Sequence, residues 1–190
     1  MAKSQLEKQF VQLAGEFGVV SELCRREIQA SLTYGNSKSA DVFVIAKDGS
    51  RAAKLEVKSS TRDSWIVGKQ AENVAPHIVW VFVYFPAVPK TFSPAQVAEN
   101  GAGAPQFHVL TSAEVKKIYE GKLEEAKVAA DKKRGRKNSD VVDATPDPAV
   151  VDADATAETQ LPPIITFNKS DLQSHYGAWK KVPNALAASK

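Results

Sequence analysis

Apolar residues recur three or four apart from Leu6 to Cys24, through Phe10, Leu13, Phe17 and Val20, which predicts an amphipathic helix over 6–24 with that stripe facing the core. Glu16 interrupts the stripe, three residues after Leu13 and four before Val20. Its carboxylate should project at or beside the buried face, where an unpaired charge is expensive. A bound cation would relieve that cost, and so would water, Lys8 or Arg25. Ile28 to Leu32 reads as a short strand or turn and Thr33 to Ala40 as a polar loop. Val42 to Ala46 and Leu55 to Val57 are strand-forming runs on either side of Asp48-Gly49, the dipeptide favoured in two-residue hairpin loops. His77 to Phe85 is almost continuously apolar, which predicts a strand buried on both faces in the middle of a sheet. Pro86 and Pro89 end it, and Thr91 to Pro105 reads as a surface connection. Gln106 to Leu110 gives another strand, and Thr111-Ser112-Ala113-Glu114 is a capping-box pattern opening a helix whose Val115, Ile118 and Tyr119 face the sheet.

From about Gly121 the apolar pattern fades. A Lys-rich stretch ends in Lys132-Lys133-Arg134-Gly135-Arg136-Lys137 and gives way to an acidic stretch from Asp140 to Glu158, rich in Ala, Asp and Pro. Neither half offers much apolar surface to bury, so 126–160 is expected to be disordered. Pro163 to Phe167 then reads as a strand, Ser170-Asp171-Leu172-Gln173 as a second capping box, and Leu172, Tyr176 and Trp179 as a helical stripe. The expected organisation is one domain made of 1–125 and 161–183, a disordered basic-then-acidic insertion over 126–160, and a flexible tail over 184–190. Helix, hairpin, strand, strand, helix is the order of an α/β layer, a mixed central sheet flanked by helices, with the insertion before the last strand and helix.

Composition narrows the chemistry. The 190 residues are 43% hydrophobic and 25% charged, ordinary values for a globular domain. Cys24 is the only cysteine, which excludes an intrachain disulfide framework and a Cys-based zinc cluster, and the three histidines form no ligand motif. No window has the apolar length of a membrane span, and the first residues lack the apolar core of a signal peptide, so a cytoplasmic protein is expected. The net charge of +3 is too small to signal nucleic-acid binding by itself. Its distribution says more: Lys132, Lys133, Arg134 and Arg136 form a basic cluster able to make weak, salt-sensitive phosphate contacts. Arg134-Gly135-Arg136 resembles an AT-hook core with Lys137 where that motif has Pro.

The densest chemistry lies in the hairpin. With Asp48 and Gly49 as the loop, Lys47 pairs with Ser50, and counting outward sets Asp41 opposite Glu56 on one face of the ladder. Lys58, two residues on, shares that face. Two acids beside a lysine can hold a hard cation through oxygen ligands next to a positive charge. The same pattern also describes an exposed strand edge with cross-strand salt bridges.

Asp41, fourteen intervening residues, then Glu56-Val57-Lys58 resembles the D…(D/E)-x-K signature of the PD-(D/E)XK nuclease superfamily, with Ala40 where the superfamily has Pro. Tyr34 to Ala40 is similar to the Gly/Ser-rich approach to this aspartate in small resolvase-type nucleases. The resemblance implies a restriction-endonuclease-like core and Mg²⁺-dependent hydrolysis of DNA phosphodiesters, Mn²⁺ being an alternative metal. It also implies that Asp41, Glu56 and the Val57 carbonyl hold the metal and that Lys58 assists the attacking water or the charge on phosphate. A glutamate from the first helix completes the set, Glu16 first and Glu22 second. Further contacts to DNA are expected from Lys38, Ser60, Arg62 and Lys69, with Gln70 beside it, while Trp65 either stacks on a base or fills the core. DNA is the expected partner, membrane is not, and a homodimer is left open. Two readings from other classes compete: a non-catalytic nucleic-acid-binding module on the same fold, and a scaffold whose insertion recruits partners.

Overall fold

The computed structural model describes residues 4–33, 40–86, 103–139 and 164–189. It is a mixed α/β structure. Helix α1 (Gln5–Cys24) leads into β1 (Gln29–Leu32), β2 (Val42–Ile45) and β3 (Ala52–Ser60), then β4 (Ser64–Val67), a 3₁₀ turn over Lys69–Glu72, β5 (Ile78–Tyr84), β6 (Gln106–Thr111) and α2 (Ser112–Ser139). After 140–163, which lie outside the described residues, come β7 (Ile165–Asn168), the single-turn α3 (Lys169–Leu172), a 3₁₀ turn over Gln173–His175, and α4 (Lys181–Ala188). Five strands form the main sheet in the order β1-β2-β3-β5-β6, antiparallel throughout except for the parallel β3–β5 pair. β4 and β7 make a separate antiparallel pair. None of the described helices is long and apolar enough to cross a membrane.

Side-chain alternation assigns the two faces of the main sheet. Val57, Val81 and Val109 face α1 and α4, which contribute Val19, Leu23, Val182 and Ala185 to one core. Trp80, Phe82 and Leu110 face the other way, under the β4–β7 pair and α2, and join Trp65, Phe167, Val115 and Tyr119 in a second core. β5 is therefore buried on both faces, as its continuous apolar run predicts. The middle of the sheet, however, is β3. An apolar run reports burial on both faces rather than position, and Lys54, Glu56 and Lys58 alternating along β3 hide its central place.

Five expectations need correction. The stripe Leu6, Phe10, Leu13, Phe17 points to solvent, while Gly15, Glu16, Val19 and Leu23 form the buried face of α1. Only the second half of α1 lies over the sheet, and its closest approach is at Gly15, where a Cβ would stand 1.7 Å from Ser59 Oγ. A reading that scores apolar side chains gives a glycine no weight. Residues 126–139, expected to be disordered, continue α2 to Ser139. Their Lys, Arg and Ala residues are good helix formers, and spaced pairs at Lys127–Glu124 and, in the preceding turns, Lys116–Glu120 support the exposed helix. The tail expected from 184 onward is mostly helix, with Val182 and Ala185 buried on the first core. The second capping box is set by Asn168 and Asp171 rather than Ser170. Leu172 and Trp179 then fall on opposite cores instead of one stripe, because the chain turns through the 3₁₀ segment and Gly177, whose φ is +61°.

The first capping box is present, with Thr111 Oγ1 accepting from the Glu114 amide at 3.3 Å and Glu114 Oε2 from the Thr111 amide at 2.8 Å. The chain's last segment closes the domain against that corner. Lys181 Nζ donates to the Val109 carbonyl at 3.0 Å, Glu114 Oε2 at 2.7 Å and His175 Nδ1 at 2.9 Å. An ammonium only donates, so His175 Nδ1 must be unprotonated. Buried His108 meets the Leu172 carbonyl through Nδ1 at 2.9 Å, which puts the proton on that nitrogen for the same reason.

Candidate metal centre

The hairpin loop is longer than expected, yet the register holds. Ala46 and Arg51 close the ladder with a 2.9 Å bond from the Ala46 amide, and the Gly49 amide bonds back to the Ala46 carbonyl at 2.8 Å, so Lys47 to Ser50 form a four-residue loop. Gly49 has φ +70°, the conformation the turn requires and glycine adopts at no steric cost. One residue added on each side of Asp48-Gly49 leaves the pairing unchanged, and Val42 still opposes Leu55. Asp41 therefore stands one step past the end of the ladder, beside Glu56.

There the ladder breaks in a specific way. The Asp41 amide donates to the Leu55 carbonyl at 3.1 Å, and the Ala40 carbonyl accepts from Thr33 Oγ1. The Val57 N–H is taken instead by Asp41 Oδ2 at 2.7 Å. Backbone N–H groups of a strand lie in the plane of the sheet, so this bond turns the Asp41 carboxylate into that plane at the free edge of β3. The Val57 carbonyl points to the same side, because N–H and C=O of one strand residue share a direction.

Glu56 and Lys58 project from the face that carries Trp80 and Phe82, the residues beside them on β5. Lys58 Nζ lies 5.9 Å from the centre of the Trp80 ring and, among the described residues, joins no ion pair. Glu16 comes from the opposite face, on α1, at 8% exposure with its Oε1 accepting from Gln12 Nε2 at 3.0 Å. Burial raises the Glu16 carboxyl above its ordinary value, against the Gln12 hydrogen bond, and the Asp41 charge adds to the rise. Burial raises Glu56 too, again helped by Asp41 and opposed by Lys58 and Lys54. Asp41 is thus the negative neighbour of both glutamates. Glu16 and Glu56 lie on opposite sides of the sheet, and each is raised by the same Asp41 charge.

Asp41, Glu56 and Lys58 come together, and Glu16 reaches Asp41 from behind. Among the described residues no group of three or more His, Cys, Asp or Glu side chains is placed to hold a metal ion. The donor set at the sheet edge is two carboxylates and the Val57 carbonyl, all hard oxygens. That set suits Mg²⁺, which keeps several waters and commonly takes one or two carboxylates. Glu22, the second choice on α1, is occupied elsewhere by ion pairs with Arg25 and Arg26.

Beyond Lys58 a groove of about 360 Å³ opens between the end of β3 and the β4–β7 pair. Lys58, Ser60, Arg62, Ser64 and Thr166 supply its polar wall, and among the described residues no carboxylate lines it. The Arg62 amide is held by Ser60 Oγ at 3.0 Å, which fixes the turn that brings the guanidinium alongside. Ser60 and Arg62 were legible from their position just after the hairpin, whereas Ser64 and Thr166 were not, because nothing local announces that β7 returns to pair with β4. Trp65 fills the core, its Nε1 donating to the Val83 carbonyl at 3.2 Å. Lys69 and Gln70 are exposed on their 3₁₀ turn and do not line the groove. Lys132 is exposed on α2; Lys38 and the side chains of Lys133, Arg134 and Arg136 lie outside the described residues. No family model, curated protein or solved structure matches the chain.

Proposed function

We propose that the protein is a metal-dependent nuclease hydrolysing DNA phosphodiester bonds, on a restriction-endonuclease-like variant of its mixed α/β architecture. The observation that carries this reading is the end of β3, where Asp41 and Glu56 stand side by side and, among the described residues, neither they nor Lys58 join an ion pair and no acid lines the groove beyond Lys58. A half-buried carboxyl such as Glu56, raised by burial and by a neighbouring Asp41 charge and set close to a lysine, is a common mark of a functional site. The helix, three antiparallel strands and parallel strand that precede β6 also agree with the D…(D/E)-x-K pattern of Asp41, Glu56 and Lys58.

In this reading Asp41, Glu56 and the Val57 carbonyl hold Mg²⁺ or Mn²⁺, with Glu16 acting on Asp41 from the far side. When bound, the cation neutralises the paired carboxylates and withdraws charge from the phosphoryl oxygens. Val57 N–H fixes one Asp41 oxygen and leaves the other for the ligand. The Lys58 ammonium can only donate, so it stabilises the negative charge that grows on the non-bridging oxygens as water attacks. One P–O bond forms and the ester P–O bond breaks; the water releases its proton to solvent, from which the leaving oxygen regains one. Arg62 and the groove hydroxyls hold the adjoining backbone by its phosphates.

The test is cleavage of supercoiled, linear, branched and single-stranded DNA by purified protein with and without Mg²⁺, beside Lys58→Ala. Metal-dependent cutting that Lys58→Ala abolishes supports the reading; no cutting of any substrate with either metal rejects it. A second reading, a non-catalytic nucleic-acid binder, is favoured by the lack of a three-ligand metal group among the described residues. Binding that is equal in Mg²⁺ and EDTA, with no product, would decide for it.

A further inference from the structure

The exposed stripe of α1 has a regular spacing that no feature of the described residues uses. Leu6, Phe10, Leu13 and Phe17 follow one another at intervals of four, three and four, the 3.5-residue repeat that keeps a seam in contact along two supercoiled helices. Their exposures are 58%, 61%, 46% and 54%. The first half of the helix overhangs the body, for every residue from Gln5 to Ala14 is exposed except half-buried Val11. A capping box at Ser4 and Glu7 nonetheless fixes its start, with Ser4 Oγ accepting from the Glu7 amide at 3.2 Å and Glu7 Oε2 from the Ser4 amide at 2.7 Å. An overhanging helix that is capped and has an apolar stripe is built to meet another helix.

We infer that the occupant is a second copy of this chain, paired antiparallel through α1 about a two-fold axis between Phe10 and Leu13. The residue sizes carry the argument. In that register Leu6 meets the partner's Phe17 and Phe10 meets the partner's Leu13, so each of the four layers sets one leucine against one phenylalanine, large against small. A parallel pair would stack Phe on Phe and Leu on Leu. It would also bring both bodies to the same end, whereas the antiparallel pair sends them to opposite ends of the overhanging halves. The exposed flank agrees, since Glu7 falls beside the partner's Ala14, with no like charges facing. At roughly 200 Å² per ring, the exposed parts of Phe10 and Phe17 come to about 230 Å² in each chain. With the two leucines the pair covers about 800 Å², which the flanking side chains bring to the ~1,000 Å² that a specific interface needs. The surface is isologous, as two-fold pairing requires.

The experiment is sedimentation velocity of the full 190-residue chain across micromolar to millimolar concentration, followed by cross-linking. A concentration-dependent dimer is expected, converted to monomer by Phe10→Glu with unchanged circular dichroism and melting. A chain that stays monomeric throughout overturns the inference. So does loss of fold in Phe10→Glu, which would mean the stripe is covered within one chain. Register is read in a Cys24→Ser background: a mixture of Leu6→Cys and Phe17→Cys proteins should oxidise to a covalent heterodimer at least tenfold faster than either alone. Faster cross-linking of Leu6→Cys to itself would overturn the antiparallel pairing.

Discussion

The domain contains two clusters of the same residue types, an acid beside a lysine, in opposite electrostatic states, one local to a hairpin and its strand and the other joined from distant sequence. At the corner of β6 and α2, Glu114 is saturated: its carboxylate accepts from Lys181 Nζ, the Thr111 amide and Thr111 Oγ1. Burial alone would raise its carboxyl, but the Lys181 and Thr111 bonds hold it below the ordinary value. At the end of β3, Glu56 is raised by burial and by Asp41, and nearby Lys58 makes no ion pair among the described residues. One cluster is finished as it stands; the other is short of positive charge. Groups that only hold a fold together are normally satisfied within it, and this contrast is the reason the proposed site is placed at the unfinished cluster.

The strongest break of this comparison lies in activity. Lys58→Ala and Glu56→Gln should each lower the rate of DNA cleavage by on the order of 10²–10⁴, the usual size for a lost charge-stabilising or metal-holding group. Neither should unfold the protein, and Glu56→Gln should raise the melting temperature slightly without metal, because it removes a buried charge facing Asp41. Melting curves with and without Mg²⁺ check both parts. A Glu56→Gln protein that melts well below the parent would put Glu56 in the structural class with Glu114.

The saturated cluster should answer the other way. Lys181→Met removes the donor shared by the Val109 carbonyl, Glu114 and His175 and should cost roughly 2 kcal/mol, as for a partly buried charged hydrogen bond, with the cleavage rate per folded molecule unchanged. Urea unfolding at neutral pH measures it. A loss below a few tenths of a kcal/mol would mean the network is ornamental.

Much of the unfinished cluster was legible because a hairpin carries its own register. Asp48-Gly49 sets the parity of the pairing, and the extra residue on each side of the loop changes its length without shifting Asp41 from Glu56. The position of β5 between two cores was legible for a similar reason, a local apolar run. The saturated cluster was not, since Lys181 sits 67 residues from Glu114 and nothing in either neighbourhood names the other. The α1 stripe was found but faced wrongly, because periodicity locates an apolar face and says nothing about what lies under it. Gly15 was the available signal: an isolated glycine inside a helix costs about 1 kcal/mol and asks for a packing reason.

That glycine gives a way to disturb one cluster from behind. In Gly15→Ala the new Cβ would stand 1.7 Å from Ser59 Oγ and 2.9 Å from Ser59 Cβ, so Ser59 must turn away and α1 and β3 must part by a few tenths of an ångström or more. The expected cost is about 1–3 kcal/mol of stability, with Glu16 carried away from Asp41 and a higher Mg²⁺ requirement for cleavage. Ser59→Gly in the same chain should restore both, since the Ser59 hydroxyl is buried and has no hydrogen-bond partner to lose. Restored stability without the restored metal requirement would separate Glu16 from the site.

Acid should loosen the saturated corner in two stages. His175 is held below its ordinary value by burial and by Lys181, against the pull of Glu114, so the folded state prefers it neutral. A depressed value means the contribution is complete above the unfolded value of 6.5 and is lost as pH falls toward the folded one. Glu114 follows the same sign, its contribution complete above 4.5 and lost below it. Melting temperature should therefore decline gently from pH 6.5 and more steeply below 4.5, and Lys181→Met should flatten the second stage. A corner that firms up as pH falls from 7 to 5 would contradict the assignment of a neutral His175.

The smallest effect sharpens the picture of the groove. Arg62 is exposed, and among the described residues it has no acidic partner, so its guanidinium is worth little to the fold. Arg62→Ala should leave melting unchanged and weaken DNA binding a few-fold at low salt. The slope of log affinity against log salt should fall by about one, the signature of a single lost phosphate contact. Fluorescence anisotropy in Ca²⁺, where hydrolysis is suppressed, reads this apart from chemistry. A change in cleavage rate at saturating DNA would instead place Arg62 beside the reacting phosphate with Lys58, and the boundary between the metal site and the groove would have to move two residues along the chain.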